Sequence, residues 1–203
     1  MEKHLKRIVT MQRMQKTGLE LFYQKGYFNT SIDDILKSLS LSKGAFYYHF
    51  ASKDEFFIGI IQQLLFRKVY SALIEPLESN ENPLTLIERT LDNTLETAQH
   101  NKYDYGFALG NFLNEFNGRH PEIMRYLKDI TKVWEVNLIS ALQRGKSNGY
   151  VSRHIDSESV ALFIISSFLG MRTLMVEGNG KLLRYKYMQQ LRTYLKTMEA
   201  VTH

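Results

Sequence analysis

Basic, aromatic and small residues stand next to one another between positions 42 and 49, in the sequence SKGAFYYH. The Lys43 ammonium could reach a base edge or a phosphate, and Gly44 has no side chain to hold a helix away from DNA. The phenol and imidazole groups that follow are suited to the sugar–phosphate backbone rather than to the bases. We predict that this stretch and two flanking residues contact DNA. The predicted DNA-binding residues are Thr30, Ser42, Lys43, Gly44, Ala45, Tyr47, Tyr48, His49 and Lys53.

Two short helical patterns joined by a tight turn position these residues. Thr30 and Ser31 can each cap the first helix, because an acidic residue follows each of them at the three-residue spacing of a capping box. After a turn at residues 39–41, Ser42 caps the second helix, and Ser52 begins a longer one. This pattern is typical of a helix-turn-helix, whose second helix enters the major groove with its N-terminal residues leading.

The positive charge of the chain lies in its first quarter. Residues 1–53 contain nine lysines and arginines against four acidic residues, which gives +5, and the remaining residues are balanced. A solvated basic face is the alternative interpretation. The coincidence of this charge with a helix-turn-helix pattern favours a surface that attracts phosphates.

The periodicity of the whole chain predicts an all-α fold. Apolar residues recur at steps of three and four, and no long stretch alternates with a period of two. We predict a DNA-binding domain over 1–52 and a helical ligand-binding and dimerisation domain over 53–203, joined by the fourth of nine helices. Outside the helix-turn-helix, one helix is expected from about His4 to Lys25, one from Ser52 to before Pro76, and one that starts at Pro83. Two more are expected over about 103–116 and 122–147, and the last two lie on either side of Gly178–Gly180.

Several classes of function find no support in the sequence. Cysteine is absent, which excludes disulfides, thiolate metal sites and cysteine nucleophiles. The six histidines lack the close spacing of metal ligands, and no nucleophile elbow, P-loop or dinucleotide fingerprint is present. We therefore predict no metal, no cofactor and no enzymatic activity. The charged N-terminal segment and the polar interruptions in the apolar window 160–176 predict a cytoplasmic protein without a membrane partner.

The stretch LELFYQKGYFNTSIDDILKSLSLSKGAFYYHFASKDEF resembles the N-terminal domain of the TetR family of bacterial transcriptional repressors. The resemblance covers about Arg13 to Phe57. It implies a homodimer with a C-terminal ligand-binding domain, in which Ser42, Lys43, Gly44, Tyr47, His49 and Lys53 face DNA. The chain departs from the family pattern at Ala45, where threonine is common, and at Ser40, where glycine is common.

A second stretch, GFALGNFLNEFNGRHPEI with later segments, is similar to the C-terminal domain of a TetR branch that has a GxxxGN motif and senses small organic molecules. Some members of that branch carry a sensing cysteine where this chain has Phe107. The resemblance implies a pocket without that chemistry. The predicted pocket residues are Phe66, Tyr70, Tyr103, Phe107, Asn111, Phe112, Trp134, Phe168, Met171 and Arg172. Aromatic residues at helical spacing also suit a simple core, and Arg172 could instead pair with Glu177.

Two apolar stripes near the C-terminus predict a dimer interface. Four helices, two from each subunit, could pack as a bundle in which Ser167 and Gly170 allow close approach. The predicted interface residues are Val160, Phe163, Ser167, Gly170, Leu174, Met188, Leu191 and Leu195. The alternative is that both stripes face the core of their own chain.

Together these features favour a ligand-responsive repressor that binds a palindromic double-stranded DNA operator as a homodimer and is released by a small organic effector. Two alternatives remain open at this point. One is a small-molecule-binding protein that has lost specific DNA recognition, and the other is an all-α enzyme with a buried polar cavity.

Overall fold

The computed structural model describes residues 2–101, 104–176 and 178–200, and within these ranges it contains nine helices and no strand. The all-α prediction is therefore confirmed for the described residues. The helices are α1 (Glu2–Lys25), α2 (Ile32–Leu39), α3 (Lys43–Tyr47), α4 (Lys53–Glu78), α5 (Pro83–Gln99), α6 (Ala108–Phe116), α7 (Pro121–Ser147), α8 (Ser157–Leu174) and α9 (Gly180–Lys196).

Side-chain caps begin the helices where the sequence predicts them. Ser31 and Asp34 form a reciprocal capping box at the start of α2, and the Ser42 and Ser52 hydroxyls accept backbone N–H groups at the starts of α3 and α4. Asn82 caps α5 in the same way. Each cap satisfies a donor that would otherwise lack a partner at a helix N-terminus.

The chain divides into two compact units. The first comprises residues 1–68 and 108–128, and the second comprises residues 69–107 and 129–203. The unit that contains the helix-turn-helix therefore extends beyond the domain boundary predicted at 52/53. It includes the first 16 of the 26 residues of α4, all of α6 and the start of α7.

Aromatic rings form the core of the first unit. Phe57 lies 5.0 Å from Phe112 and 5.4 Å from Phe116 between ring centroids, and Phe116 lies 4.9 Å from Tyr27. Helices α1 and α4 cross closely at Gly18, where an added Cβ would come within 2.6 Å of the Phe56 ring. The hydrophobic residues of the helix-turn-helix thus pack against a core that α6 completes.

In the second unit, charge pairs link α5 and α9. Arg184 bonds Asp92 at 2.7 Å, and Arg192 bonds Glu88 at 2.6 Å. In the same unit, the Trp134 indole meets the Phe168 ring edge to face, with 5.6 Å between ring centroids. After α7, Val151 forms an isolated antiparallel bridge with Glu199.

Two of the predicted helix boundaries are wrong. The fourth helix does not end before Pro76, because this proline lies within a final 3-10 turn, Glu75–Glu78, where its missing N–H is not needed. The sixth helix begins at Ala108 rather than near position 103, since Gly106 has a φ of 99°, which is outside the helical range, and residues 104 and 105 are not helical. Tyr103 itself lies outside the described residues.

Helices α4 and α8 are long and apolar enough to meet the composition of a membrane span, by length and hydropathy alone. Of their apolar windows, 39% and 44% of the residues are buried within the chain, and core helices of soluble proteins meet the same criteria of length and composition. Neither helix is evidence for a membrane.

Candidate nucleic-acid interface

The turn before α3 fixes how that helix is presented. Ser40 adopts a left-handed conformation with a φ of 54°, the only positive φ among the described non-glycine residues. The Leu41 N–H then bonds the Leu36 carbonyl at 3.0 Å, which closes α2 in the manner of a Schellman motif. The chain reverses within three residues and enters α3 at Ser42.

Buried rings on one side of α3 leave its other side exposed. Phe46 is fully buried and Phe50 is 6% exposed, and both pack against the Phe56 ring at 5.3 Å and 4.8 Å. Tyr47 and Tyr48 are 59% and 65% exposed, and the residues at the start of the helix are exposed as well. The helix therefore presents small, basic and phenolic groups to solvent, as the sequence predicts.

Lys43 already has a partner at this surface. Its ammonium lies 2.9 Å from the Asp33 carboxylate of α2, and both side chains are largely exposed. The hydrogen bond to Asp33 raises the pKa of Lys43, which keeps the lysine cationic. A phosphate or a base edge must therefore compete with Asp33 for the Lys43 ammonium.

Arg7 is a further candidate for a DNA contact. From the sequence it contributes to the positive charge of residues 1–53 but is not among the predicted DNA-binding residues. The guanidinium lies 5.2 Å from the centre of the Tyr48 ring, in cation–π geometry. Burial, and then the nearby Arg7 charge, lower the pKa of His49, whose Nδ1 is buried without a partner. The first turns of α1 thus add a cation beside the exposed face of α3. Only the tertiary fold brings positions 7 and 48 together.

Thr30 and Lys53 are turned inward rather than towards solvent. The Thr30 side chain is 1% exposed, and its hydroxyl donates to the Gly26 carbonyl at 2.8 Å. The Lys53 ammonium donates to the Tyr27 carbonyl at 2.6 Å and lies 3.9 Å from the centre of the Tyr27 ring, and burial lowers its pKa. Both side chains hold the α1–α2 turn, so the exposed candidate surface consists of Arg7 and residues 42–49 and leaves out Thr30 and Lys53.

A polar network ties that turn to α6. The two Glu115 carboxylate oxygens accept the Tyr27 and Phe28 backbone N–H groups, each at 3.0 Å. The Tyr27 hydroxyl donates to Asp54, which also contacts His120 Nε2 at 3.1 Å. The bond from Tyr27 lowers the pKa of Asp54, while burial raises the pKa of Tyr27.

The predicted pocket residues are divided between the two compact units. Phe66, Asn111 and Phe112 belong to the first unit, where Phe112 packs in the aromatic core. Tyr70, Phe107, Trp134, Phe168, Met171 and Arg172 belong to the second unit. Of these, Trp134 lines a small cavity, and the Tyr70 hydroxyl bonds Glu78 at 2.5 Å.

Arg172 is paired, but with a partner other than the one considered from sequence. Its guanidinium makes two bonds of 2.7 Å to Asp104 and one of 2.8 Å to the Gly106 carbonyl, and the side chain is 6% exposed. Glu177 lies outside the described residues. The arrangement fixes the chain segment before α6 and leaves Arg172 committed to an internal carboxylate.

The predicted interface residues separate into two groups. Val160, Met188, Leu191 and Leu195 are at most 6% exposed and pack in the core of their own chain, which was the alternative interpretation. Ser167 is partly buried and contacts the Tyr187 hydroxyl at 3.0 Å. Phe163, Gly170 and Leu174 face solvent.

Comparison with known families agrees with this geometry. A family model described as "Bacterial regulatory proteins, tetR family" matches residues 16–60, which contain α2, α3 and the start of α4. A second, described as "Tetracyclin repressor-like, C-terminal domain", matches residues 83–184, slightly more than half of the chain.

Individual relatives cover most of the chain at low identity. The HTH-type transcriptional repressor DhaR of Mycobacterium sp. (strain GP1) is 25% identical over 166 residues, which is 78% of each chain. The HTH-type transcriptional repressor NemR of Escherichia coli (strain K12) is 30% identical over 72 residues, 36% of each chain. A solved TetR transcriptional regulator from Chloroflexus aurantiacus has the same fold, with a TM-score of 0.86 and 23% identity over 97% of this chain and 99% of that one. The chain therefore belongs to the TetR family of bacterial transcriptional regulators, which are DNA-binding proteins rather than enzymes.

Proposed function

We propose that this protein is a ligand-responsive transcriptional repressor that binds a palindromic DNA operator as a homodimer. The observation that carries the proposal is the exposed face of α3, where Lys43, Gly44, Tyr47 and Tyr48 point to solvent beside Arg7. The relatives DhaR and NemR are both named as repressors, which supports repression over activation.

In the proposed complex, the α3 helices of two subunits lie in major grooves on one side of the duplex. A two-fold axis relates them, so the operator is a palindrome with half-sites about 34 Å apart or at a wider spacing. Lys43 reaches base edges or phosphates, whereas Tyr47, Tyr48 and Arg7 hold the sugar–phosphate backbone.

Release follows from a difference in ligand affinity between two conformations. An effector that binds better to the conformation with the wrong spacing shifts the population away from DNA. Helix α4 is suited to carry this coupling, because it begins in the unit that contains α3 and continues into the unit that carries the proposed ligand site.

The proposal is tested by selecting bound fragments of the source genome with the purified full-length protein and measuring their affinity against salt. The logarithm of the affinity should fall linearly with the logarithm of the salt concentration. Lys43→Ala and Arg7→Ala should each weaken binding. Because each substitution removes one cation from both subunits of the proposed dimer, it should reduce that slope by about two. Arg13→Ala is the matched control, since Arg13 is exposed on the same helix about 240° around its axis.

Two negative results of this DNA-binding experiment lead to different conclusions. If no genomic fragment is selected, the protein is a small-molecule-binding member of the family that has lost DNA recognition. If binding occurs but Lys43→Ala and Arg7→Ala behave like Arg13→Ala, DNA binds to a different surface. Thermal unfolding of each variant separates a lost contact from a lost fold.

A further inference from the structure

A small cavity lies in the second unit between α4, α5, α7 and α8. It has room for about one water molecule. Seven of its eight lining residues are apolar: Leu73, Leu77, Ile87, Leu91, Trp134, Leu138 and Ile164, and the eighth is Thr90. A buried water usually makes about three hydrogen bonds, and this lining offers at most two polar side-chain groups, the Thr90 hydroxyl and the Trp134 indole N–H.

The Thr90 hydroxyl is buried without a hydrogen-bond partner. The residue is 5% exposed, and its Oγ1 contacts no donor or acceptor of the described residues. One turn later, the Thr94 hydroxyl donates to the Thr90 carbonyl at 2.8 Å, which is how a buried helical threonine ordinarily satisfies its hydroxyl. Thr90 therefore carries an unsatisfied polar atom beside an apolar space, an arrangement that costs stability unless a ligand bonds it.

The residues that line the cavity favour an uncharged ligand. No acidic or basic side chain lines the cavity. Arg172, the cation predicted from sequence as a polar anchor, is committed to Asp104 and Gly106. A charged group in this lining would lose its hydration without gaining a counter-ion, which is strongly unfavourable.

We propose that this cavity is the effector site, and that the effector is a small, uncharged, largely apolar molecule with one hydroxyl or carbonyl oxygen. The Thr90 hydroxyl bonds that oxygen, and the Trp134 indole packs against the hydrocarbon part. This inference rests on the proposed function, in which a ligand controls DNA binding. Any such molecule is larger than the cavity, so its entry displaces lining residues, and two of them, Leu73 and Leu77, lie on α4.

Trp134 is the only tryptophan in the chain, so its fluorescence reports directly on this site. The full-length protein is titrated with butan-1-ol and, separately, with butyrate, which has the same carbon number but carries a charge. Butan-1-ol should change the Trp134 emission saturably, and butyrate should not. Equal responses to both, or no saturable response to butan-1-ol, would overturn the assignment of ligand class.

Thr90→Val tests the hydroxyl with little change in volume, and Thr94→Val is its matched control on the same helix. Thr90→Val should weaken butan-1-ol binding roughly fivefold, the loss of one hydrogen bond. It should also raise the Tm of the ligand-free protein by about 2–4 °C, because an unpaired buried hydroxyl is removed. Thr94→Val should leave the butan-1-ol affinity unchanged. Equal affinity in the wild type and Thr90→Val would exclude Thr90 as the anchor.

DNA binding is measured on the same samples, so that the two proposals can fail separately. Saturating butan-1-ol should release the selected DNA fragment from the wild type. Alcohol binding without any DNA binding contradicts the repressor proposal and leaves the cavity assignment intact. DNA binding that butan-1-ol does not alter, despite saturation of Trp134, overturns the effector role of the cavity.

Discussion

At the scale of single residues, one carboxylate, that of Asp33, lies within the proposed DNA surface. Asp33 pairs with Lys43 at 2.9 Å in the free protein, and both groups are more than 60% exposed. An exposed pair of this kind contributes little to stability. Its negative charge does, however, oppose the approach of any phosphate to Lys43.

We predict that Asp33→Asn increases affinity for DNA, and more so for random sequences than for the operator. The reason is that phosphate attraction is independent of sequence, whereas base contacts are not. The measurement is a double-mutant cycle with Lys43→Ala in a mobility-shift titration. The gain from Asp33→Asn should shrink when Lys43 is absent. If Asp33→Asn increased DNA affinity equally with and without Lys43, Asp33 would act through the overall electrostatic potential of the surface and not through Lys43.

Whether a side-chain hydrogen bond can be predicted from the sequence depends on how far apart its two residues are along the chain. The Ser42 and Ser52 caps involve backbone groups three residues away, so the sequence alone identifies them. Thr30 and Lys53 instead bond carbonyls on the α1–α2 turn, and the inward direction of both side chains depends on tertiary packing. The sequence marks these positions as polar helix starts but does not say which way they face.

At the scale of elements, the α2–α3 turn stores conformational strain at Ser40. A residue with a Cβ is disfavoured at a φ of 54°, and the family commonly has glycine at this position. We predict that Ser40→Gly stabilises the protein by about 0.5–1 kcal/mol, measured as a higher urea midpoint. Ser38→Gly is the control, because Ser38 lies within α2, where glycine should destabilise by a similar amount. A lower midpoint for Ser40→Gly would mean that the serine side chain supports the turn.

The link between α4 and the α6–α7 corner depends on an ionised carboxylate. Hydrogen bonding from Tyr27 lowers the pKa of Asp54 below its usual 3.8, so the charged form is favoured in the folded state. Its contribution to stability is therefore complete above the unfolded pKa and is lost as the pH falls through the folded pKa.

Acidification should consequently weaken the first unit through Asp54. We predict that the urea midpoint falls as the pH is lowered below about 4, and that Asp54→Asn has a lower midpoint at neutral pH with a shallower acid decline. Asp129→Asn, at an exposed position in the second unit, is the control and should retain the decline of the wild type. Parallel acid curves for Asp54→Asn and the wild type would assign the acid sensitivity to other carboxylates.

At the scale of the whole molecule, helical periodicity predicted the number and order of the helices. It could not distinguish an apolar stripe that is buried in the core of its own chain from one that is exposed to solvent. On α8, Val160 and Phe163 both belong to apolar stripes, yet the first is 6% exposed and the second 47%. The exposed stripe continues through Leu162, Gly170 and Leu174, of which the two leucines are 65% and 63% exposed. A solvent-facing apolar row of this extent is typical of a protein–protein contact.

We predict that this exposed row of α8 forms the homodimer contact and that Leu174→Glu disrupts it. A carboxylate there would be buried against the symmetry-related helix without a partner, so the protein should become monomeric in analytical ultracentrifugation. The monomer should keep its thermal unfolding signal near that of the wild type, because Leu174 contributes little to its own core. It should lose most of its operator affinity, since one α3 helix then contacts one half-site.

Val136→Glu, at an α7 position that is 50% exposed, is the matched control and should remain dimeric. A dimeric Leu174→Glu protein would place the subunit contact elsewhere, and a monomeric wild type with full operator affinity would remove the need for a dimer.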